Sequence, residues 1–390
     1  MKKRFKLQIV LSIFLTMALV SAAMMACDSG SSGSSSSSGS SGSSSGTVCS
    51  SIKLRTIPTD PSVRGPWPVG SRTVTVSGLV TEVWYPAVPG SEAGKSKDWI
   101  DTREYMPNSD PVATDPKFQI DSYDGLPIDT AYGPYPVIIY VHGTGSFRTA
   151  SHALFTHWAS RGFVVLCADN PGIMLGDLME GGCGALLSAD QEGDTRKLIS
   201  SVRNPSGALA FLAGRLTTNR IGLGGHSAGG AAIAGLGIEL GVRVIIPMAS
   251  GGVESGSAVE SALIMGGLAD EAATPRIVRA GYDETPIKKR LVLIPNAGHM
   301  AFCNVCPIIM DSDEELGALT SIANDGCGPQ YVAPALSTEI VNFASTAVYE
   351  ETLVCSSTAT SQISMIANRY SGVEYDYQAN SSSSSSGGCN

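Results

Sequence analysis

Two serines in the 390-residue chain stand in the pattern Gly-x-Ser-x-Gly, which can lift a hydroxyl out of a tight turn to act as a nucleophile. They are Ser44 in Gly42-Ser43-Ser44-Ser45-Gly46 and Ser227 in Gly225-His226-Ser227-Ala228-Gly229. The flanks separate them. A short β-type run, residues 220–223, precedes Ser227 and an Ala-rich helical segment follows it, whereas Ser44 lies in unbroken Ser and Gly. Only the first is the strand, turn and helix that such a nucleophile requires. Glycines suit a strained turn where neighbouring side chains would strike backbone, and the turn sets the Ala228 N–H at a helix start, where the dipole favours a developing oxyanion. Two other glycine-rich readings fail on residue type. A dinucleotide fingerprint needs Gly where Ser227 stands in Gly222-Leu223-Gly224-Gly225-His226-Ser227, and a phosphate-binding loop needs Lys.

A serine hydroxyl at neutral pH needs a base, and after a turn of this kind the order along the chain is Ser, then acid, then His. The five histidines are His142, His152, His157, His226 and His299, and only His299 follows both Ser227 and an acid. It lies in Asn296-Ala297-Gly298-His299-Met300, just after an apolar run. Asp270, in Gly266-Gly267-Leu268-Ala269-Asp270, also follows a predicted strand and is the expected acid; Glu254, Glu271 and Asp283 are its rivals, better read as surface or helix-end charges. The expected oxyanion donors are the backbone N–H groups of Ala228 and of Thr144 in Val141-His142-Gly143-Thr144-Gly145, with His142 packing the loop. This chemistry, acyl transfer through serine, calls for no cofactor and no metal.

The elements that must position these groups follow from the apolar pattern. Alternation at 73–76 and 80–85 predicts an antiparallel meander ending at Pro86, and a polar insertion then runs to about Gly133. Beyond it, runs that are apolar almost throughout alternate with helical segments, which is how a parallel sheet covered on both faces reads. Strands are expected at 137–141, 163–168, 221–223, 242–247, 262–265 and 291–294. Helices are expected at 150–160, 194–201, 206–215, 228–240, 275–280, 314–322 and 337–350. The fold class is α/β.

The two ends do not belong to that domain. Residues 1–26 have a basic start, an apolar run and small residues before Cys27, the pattern of a secretory signal. Residues 27–48 are a Ser/Gly-rich tether with a mean reach of about 25 Å, and 379–390 form a low-complexity tail, leaving 49–378 as one domain. A net charge of −9, with no basic cluster outside the signal, excludes nucleic acid as the expected partner. Export makes disulfides the default for the eight cysteines after Cys27, without fixing their connectivity. Cys167, inside an apolar run, reads as a buried free thiol, and Cys303, Cys306 and Cys327 have no His to complete a zinc set.

These residues resemble known families. Met24-Met25-Ala26-Cys27 is similar to the lipobox of bacterial lipoproteins, which implies a lipid on Cys27 and attachment to a membrane. The segments His142-Gly143-Thr144-Gly145, Trp158-Ala159-Ser160-Arg161-Gly162-Phe163, Trp84-Tyr85-Pro86-Ala87 and Gly225-His226-Ser227-Ala228-Gly229-Gly230, with Ala269-Asp270 and Gly298-His299, carry the second resemblance. They look like the α/β-hydrolase superfamily: bacterial cutinases and polyester hydrolases, platelet-activating-factor acetylhydrolases and dienelactone-hydrolase-like proteins. The resemblance implies an α/β-hydrolase fold and a serine esterase acting on a small-molecule or lipid ester. The polyester hydrolases typically carry an aromatic residue where Thr144 stands, Met where Ala228 stands and Trp near Met248, so this chain lacks their grip on an aromatic acyl group. A polyester or lipid-ester hydrolase, an acyltransferase or amidase, and an inactive tethered binding protein are the other readings. Residues 170–193, longer than a tight connection, read either as a cover for the cleft or as a surface loop stapled through Cys183.

Overall fold

The computed structural model describes residues 49, 51–107, 117–256, 258–306 and 324–379. The expected signal at 1–26, Cys27, the tether, the expected helix at 314–322 and the tail from 380 lie outside the described residues.

Strands that are apolar throughout need partners on both faces, and that is how they are used. β1 (Val69–Val76) and β2 (Leu79–Pro86) form the antiparallel meander. β3 (Trp99–Asp101) and β4 (Lys117–Gln119) make a separate ribbon in the polar insertion, and β5 (Tyr123–Asp124) returns to β1. The parallel strands follow: β6 (Tyr135–Val141), β7 (Val164–Ala168), β8 (Leu216–His226), β9 (Val242–Met248), β10 (Ser261–Gly267) and β11 (Lys289–Ile294). With β12 (Glu374–Gln378) the sheet order is β12-β11-β10-β9-β8-β6-β7-β2-β1-β5, and every residue of β6, β7, β10 and β11 is buried.

Alternate side chains point to opposite faces, so each strand feeds two cores. Ile138, Tyr140, Val165, Cys167, Val244, Ile246, Leu263 and Met265 enter one. There they meet α1 (His152–Ser160) and α6 (Pro334–Leu353). Val137, Ile139, Val164, Leu166, Ile245 and Ile264 enter the other, against α3 (Gln191–Arg203) and α5 (Pro275–Glu284). Arg161, which ends α1, is fully buried and donates from Nε to Glu350 of α6 at 2.6 Å, while Nη1 and Nη2 donate to the carbonyls of Asp60 and Pro58 at 3.1 and 2.8 Å.

Three expectations differ from the structure. The helix expected at 228–240 is only α4 (Ala228–Ala232), followed by a 3-10 turn at Leu236–Ile238. Gly229, Gly230, Gly235 and Gly237 remove the backbone rigidity a longer helix needs. The helix expected at 206–215 is a 3-10 segment, Gly207–Leu212, bounded by positive φ at Gly207 and Gly214. β12 was not expected at all: its charges and tyrosines suit an exposed edge, paired antiparallel to β11.

Disulfides join Cys49 to Cys355 and Cys306 to Cys327, while Cys167 and Cys303 are free thiols. Of Cys303, Cys306 and Cys327, two sulfurs are thus covalently used. Burial holds the Cys167 thiol well above its ordinary range.

Candidate active site

Parallel strands in register bring their C-terminal ends to one edge of a sheet, where sites in such folds form. Val141 of β6 lies opposite Gly225 of β8, His226 opposite Met248 of β9, and Gly267 of β10 opposite Ile294 of β11. Each expected site residue lies just beyond one of these ends.

Ser227 occupies the turn between β8 and α4 with φ 55° and ψ −122°, a conformation costly for a residue with a side chain. The flanking glycines are required by space: a Cβ on Gly225 would lie 2.5 Å from the Gly229 carbonyl oxygen, and one on Gly229 would lie 2.1 Å from that of Val141. The Ser227 N–H donates to the Met248 carbonyl at 2.9 Å, tying the turn to β9.

The structure brings all three sequence-predicted residues into one hydrogen-bonded chain. His299 Nε2 lies 2.9 Å from Ser227 Oγ, and His299 Nδ1 lies 3.0 and 3.2 Å from the two carboxylate oxygens of Asp270. Asp270 and His299 are buried and Ser227 is half-buried. Asp270 Oδ1 also accepts the N–H groups of Ala272 and Ala273 at 2.9 and 2.7 Å, which orients the carboxylate. Its rivals Glu254, Glu271 and Asp283 are exposed.

Thr144 and Ala228, like Ser227, are half-buried among buried neighbours. A Cβ on Gly143 would lie 3.1 Å from Ser227 Cβ, so the two turns touch. The loop bearing Thr144 is fixed from several sides. Gly145 N–H donates to the Ile173 carbonyl at 2.9 Å, and Leu175 N–H donates to that of Ser146 at 3.1 Å. Arg148 donates from its N–H to Asp169 Oδ1 at 2.8 Å and from Nη1 to Oδ2 at 2.7 Å. His142 donates from Nδ1 to the Gly143 carbonyl at 2.9 Å and accepts the Asn170 N–H on Nε2 at 3.2 Å, a loop-packing part with both ring nitrogens occupied. Burial holds its pKa below the ordinary histidine range.

Two further residues hold His299 and were not singled out from sequence. His226 donates from Nε2 to the His299 carbonyl at 2.9 Å, and its ring centroid lies 4.8 Å from that of His299. Burial, reinforced by the neighbouring His299, pushes the His226 pKa down to about 3, so it serves as a neutral donor. Asp325 accepts the His299 N–H on Oδ1 and the Glu271 N–H on Oδ2, both at 3.0 Å. Adjacency to Ser227 in the serine motif was a signal for the first; nothing but the neighbouring Cys327 pointed to the second.

Residues 170–193 form α2 (Leu175–Gly181), the 3-10 segment Gly182–Ser188 and the start of α3. Leu175 packs in one apolar cluster with Met300, Val305 and Cys306, against half-buried Met106 and Met179. The segment thus bridges the Thr144 loop and the residue next to His299. Cavities of about 250 and 370 Å³ lie elsewhere, the first beside Cys355 and the second beside His152 and Asn342. Among the described residues no group of three or more His, Cys, Asp or Glu side chains is arranged to hold a metal ion.

A family model described as platelet-activating factor acetylhydrolase, isoform II, matches residues 56–170, from ahead of β1 through β7 and the Thr144 loop but ending before Ser227. No curated protein matches the chain. Among solved structures, a ferulic acid esterase from Streptomyces cinnamoneus is similar with a TM-score of 0.56 at 18% identity, covering 76% of this chain and 92% of that one. With its mostly parallel sheet, antiparallel start and helices on both faces, the chain has the α/β-hydrolase fold.

Proposed function

We propose that the protein is a serine esterase that cleaves carboxylic esters through Ser227, His299 and Asp270. The observation that carries this reading is the continuous hydrogen-bonded chain from Ser227 Oγ through the imidazole to a buried carboxylate. Ser227 Oγ attacks the ester carbonyl while His299 Nε2 takes its proton. Asp270 fixes the imidazole with Nδ1 protonated and stabilises the imidazolium. The N–H groups of Thr144 and Ala228 receive the oxyanion, the alcohol leaves with the proton from His299, and water repeats the sequence on the acyl-enzyme. The cycle uses no cofactor.

The family match and the esterase neighbour favour an ester over other acyl compounds. The apolar cluster that takes in Met300, the residue after His299, holds Leu175 with half-buried Met106 and Met179 and no aromatic ring. Thr144, Ala228 and Met248 add no ring to stack on an aromatic acyl group. Short aliphatic acyl esters are therefore the proposed substrates. Ser227→Ala should abolish turnover of short-chain nitrophenyl esters and labelling by a fluorophosphonate probe while keeping the fold; turnover retained in that variant would refute the assignment. Across an acyl-chain series, activity should fall with length, and a preference for long chains would point to a lipid ester instead.

The two disulfides accord with an oxidising compartment outside the cytoplasm. We propose that the mature protein begins at lipidated Cys27 and is held at a membrane by the tether. Mass spectrometry of the mature N-terminus should find the acyl modification there; an unmodified Cys27 would exclude that anchor.

A further inference from the structure

Resting on the serine-esterase reading, we propose that Asp325 is a positioning residue of the reaction. Its carboxylate clips the loop carrying Asp270 to the loop carrying His299, and the Cys306–Cys327 disulfide holds the clip in place.

The two loops share backbone hydrogen bonds from the Leu268 and Ala269 N–H groups to the Ile294 and Ala297 carbonyls, both at 2.9 Å, neither of which reaches Asp270 or His299 itself. His299 opens a 3-10 turn, His299–Phe302, whose first N–H groups lack partners within the turn. The residue before it, Gly298, has no side chain to cap them. Asp325 supplies that cap from 26 residues along the chain. Oδ1 takes the His299 N–H at 3.0 Å, Oδ2 takes the Glu271 N–H next to Asp270 at 3.0 Å, and the Asp325 carbonyl takes the Met300 N–H at 2.8 Å. One residue therefore contacts the neighbour of the acid, the base itself and the neighbour of the base. Bonds from N–H to a carboxylate are among the stronger ones available to a loop.

Space supports the same role. A Cβ on Gly298 would lie 2.6 Å from Asp325 Oδ1, so the base-bearing loop is shaped to admit the carboxylate. On the far side the His299 carbonyl is held by His226 at 2.9 Å, leaving the backbone of the base fixed at both its N–H and its C=O. Cys327 lies two residues after Asp325, and its bond to Cys306 ties that segment to the chain leaving the His299 turn. The Cα atoms of the pair are 5.3 Å apart. Met300 packs with both cysteines in one apolar cluster. The distances of 3.0 and 3.2 Å from His299 Nδ1 to Asp270 depend on how these two loops sit against each other.

The test uses the full-length, disulfide-intact protein and short-chain nitrophenyl esters. In Asp325→Ala, kcat should fall about 10- to 100-fold, the scale expected when a reacting group is displaced by roughly 1 Å, with KM within about twofold because the Ser227 turn still accepts substrate. Asp325→Asn keeps one acceptor and should fall between that variant and the wild type. The double variant Cys306→Ser with Cys327→Ser should also lose kcat, and combining it with Asp325→Ala should cost little more, since both remove one clip. A kcat within twofold of wild type in Asp325→Ala, a loss confined to KM, or fully additive losses would each overturn the inference. If Asp325→Ala does not fold, Asp325→Asn decides: unchanged kcat there overturns it and a partial loss supports it. Fluorophosphonate labelling separates the two levels. Wild type labelled at Ser227 together with an unaffected Asp325→Ala defeats the positioning role alone, whereas an unlabelled wild type defeats the esterase reading and this inference with it.

Discussion

Replacing Gly229 by alanine should disable the site while sparing the fold. The added Cβ would lie 2.1 Å from the Val141 carbonyl oxygen and 2.6 Å from that of His142, both well short of ordinary contact at 3.4 Å. Both obstacles are backbone, so no side chain can rotate to relieve them. Either α4 withdraws with Ala228 at its head, or the end of β6 withdraws with the Thr144 loop. In both cases the two proposed oxyanion donors move apart by roughly 1 Å, which is worth about 100-fold in kcat/KM. The stability cost of forcing one methyl into a packed place is about 1 to 3 kcal/mol, a tolerable loss for a domain of this size. Steady-state kinetics on a short-chain ester and a urea unfolding curve measure the two effects separately. Gly251→Ala is the control, because an added Cβ there meets nothing within 4 Å. Gly229→Ala with kcat/KM within threefold of the control would refute the claim that the meeting of these turns sets the site.

Glu350→Ala should destabilise the fold by about 3 to 5 kcal/mol in urea unfolding, since it leaves the fully buried Arg161 guanidinium without its carboxylate; a loss under about 1 kcal/mol would show that the backbone carbonyls around Arg161 suffice. Stability should also fall in mild acid. Burial pushes His157 and His226 each down to about 3, so the unfolded chain takes up their protons near pH 6.5 while the folded chain does not, and stability present above pH 6.5 drains as pH falls. Glu82, raised by burial to about 7, acts in the opposite sense, its contribution being lost as pH rises from 4.5 through 7. With His152 also lowered by burial, to about 4, three histidines against one carboxyl leave a net slope of about 2.7 kcal/mol per pH unit between 4.5 and 6.5, and unfolding free energies independent of pH across that window would contradict it.

The parts of the site legible in the sequence are those that the sheet positions. Ser227, Asp270 and His299 each follow an apolar run, and an apolar run of the right length reads as a strand whichever neighbours it acquires. The order of serine, acid and base then reduces five histidines to one. What could not be read depends on chain segments meeting without any periodic signal. Asp325 is one acidic residue in a turn, and its role exists only because the Cys306–Cys327 bond returns that turn to His299. β12, whose burial pattern is almost entirely exposed, has no apolar face to announce it. The helix expected after Ser227 failed for a readable reason, since its glycines were visible but their cost was outweighed in the sequence by the alanines among them.

The same division bears on substrate choice. The sheet fixes where the serine, acid and base stand, but the surface that an acyl group meets is built by the connections. Residues 170–193 are tied at their start to the Thr144 loop through Ile173 and Leu175, and Leu175 reaches Met300 beside His299. A substitution that enlarges Leu175 or Met300 therefore acts on the cluster beside the His299 turn and leaves the Ser227, His299 and Asp270 side chains unchanged. The strand ends thus hold the proposed reacting groups, while residues 170–193 join the Thr144 loop to the apolar cluster around Met300.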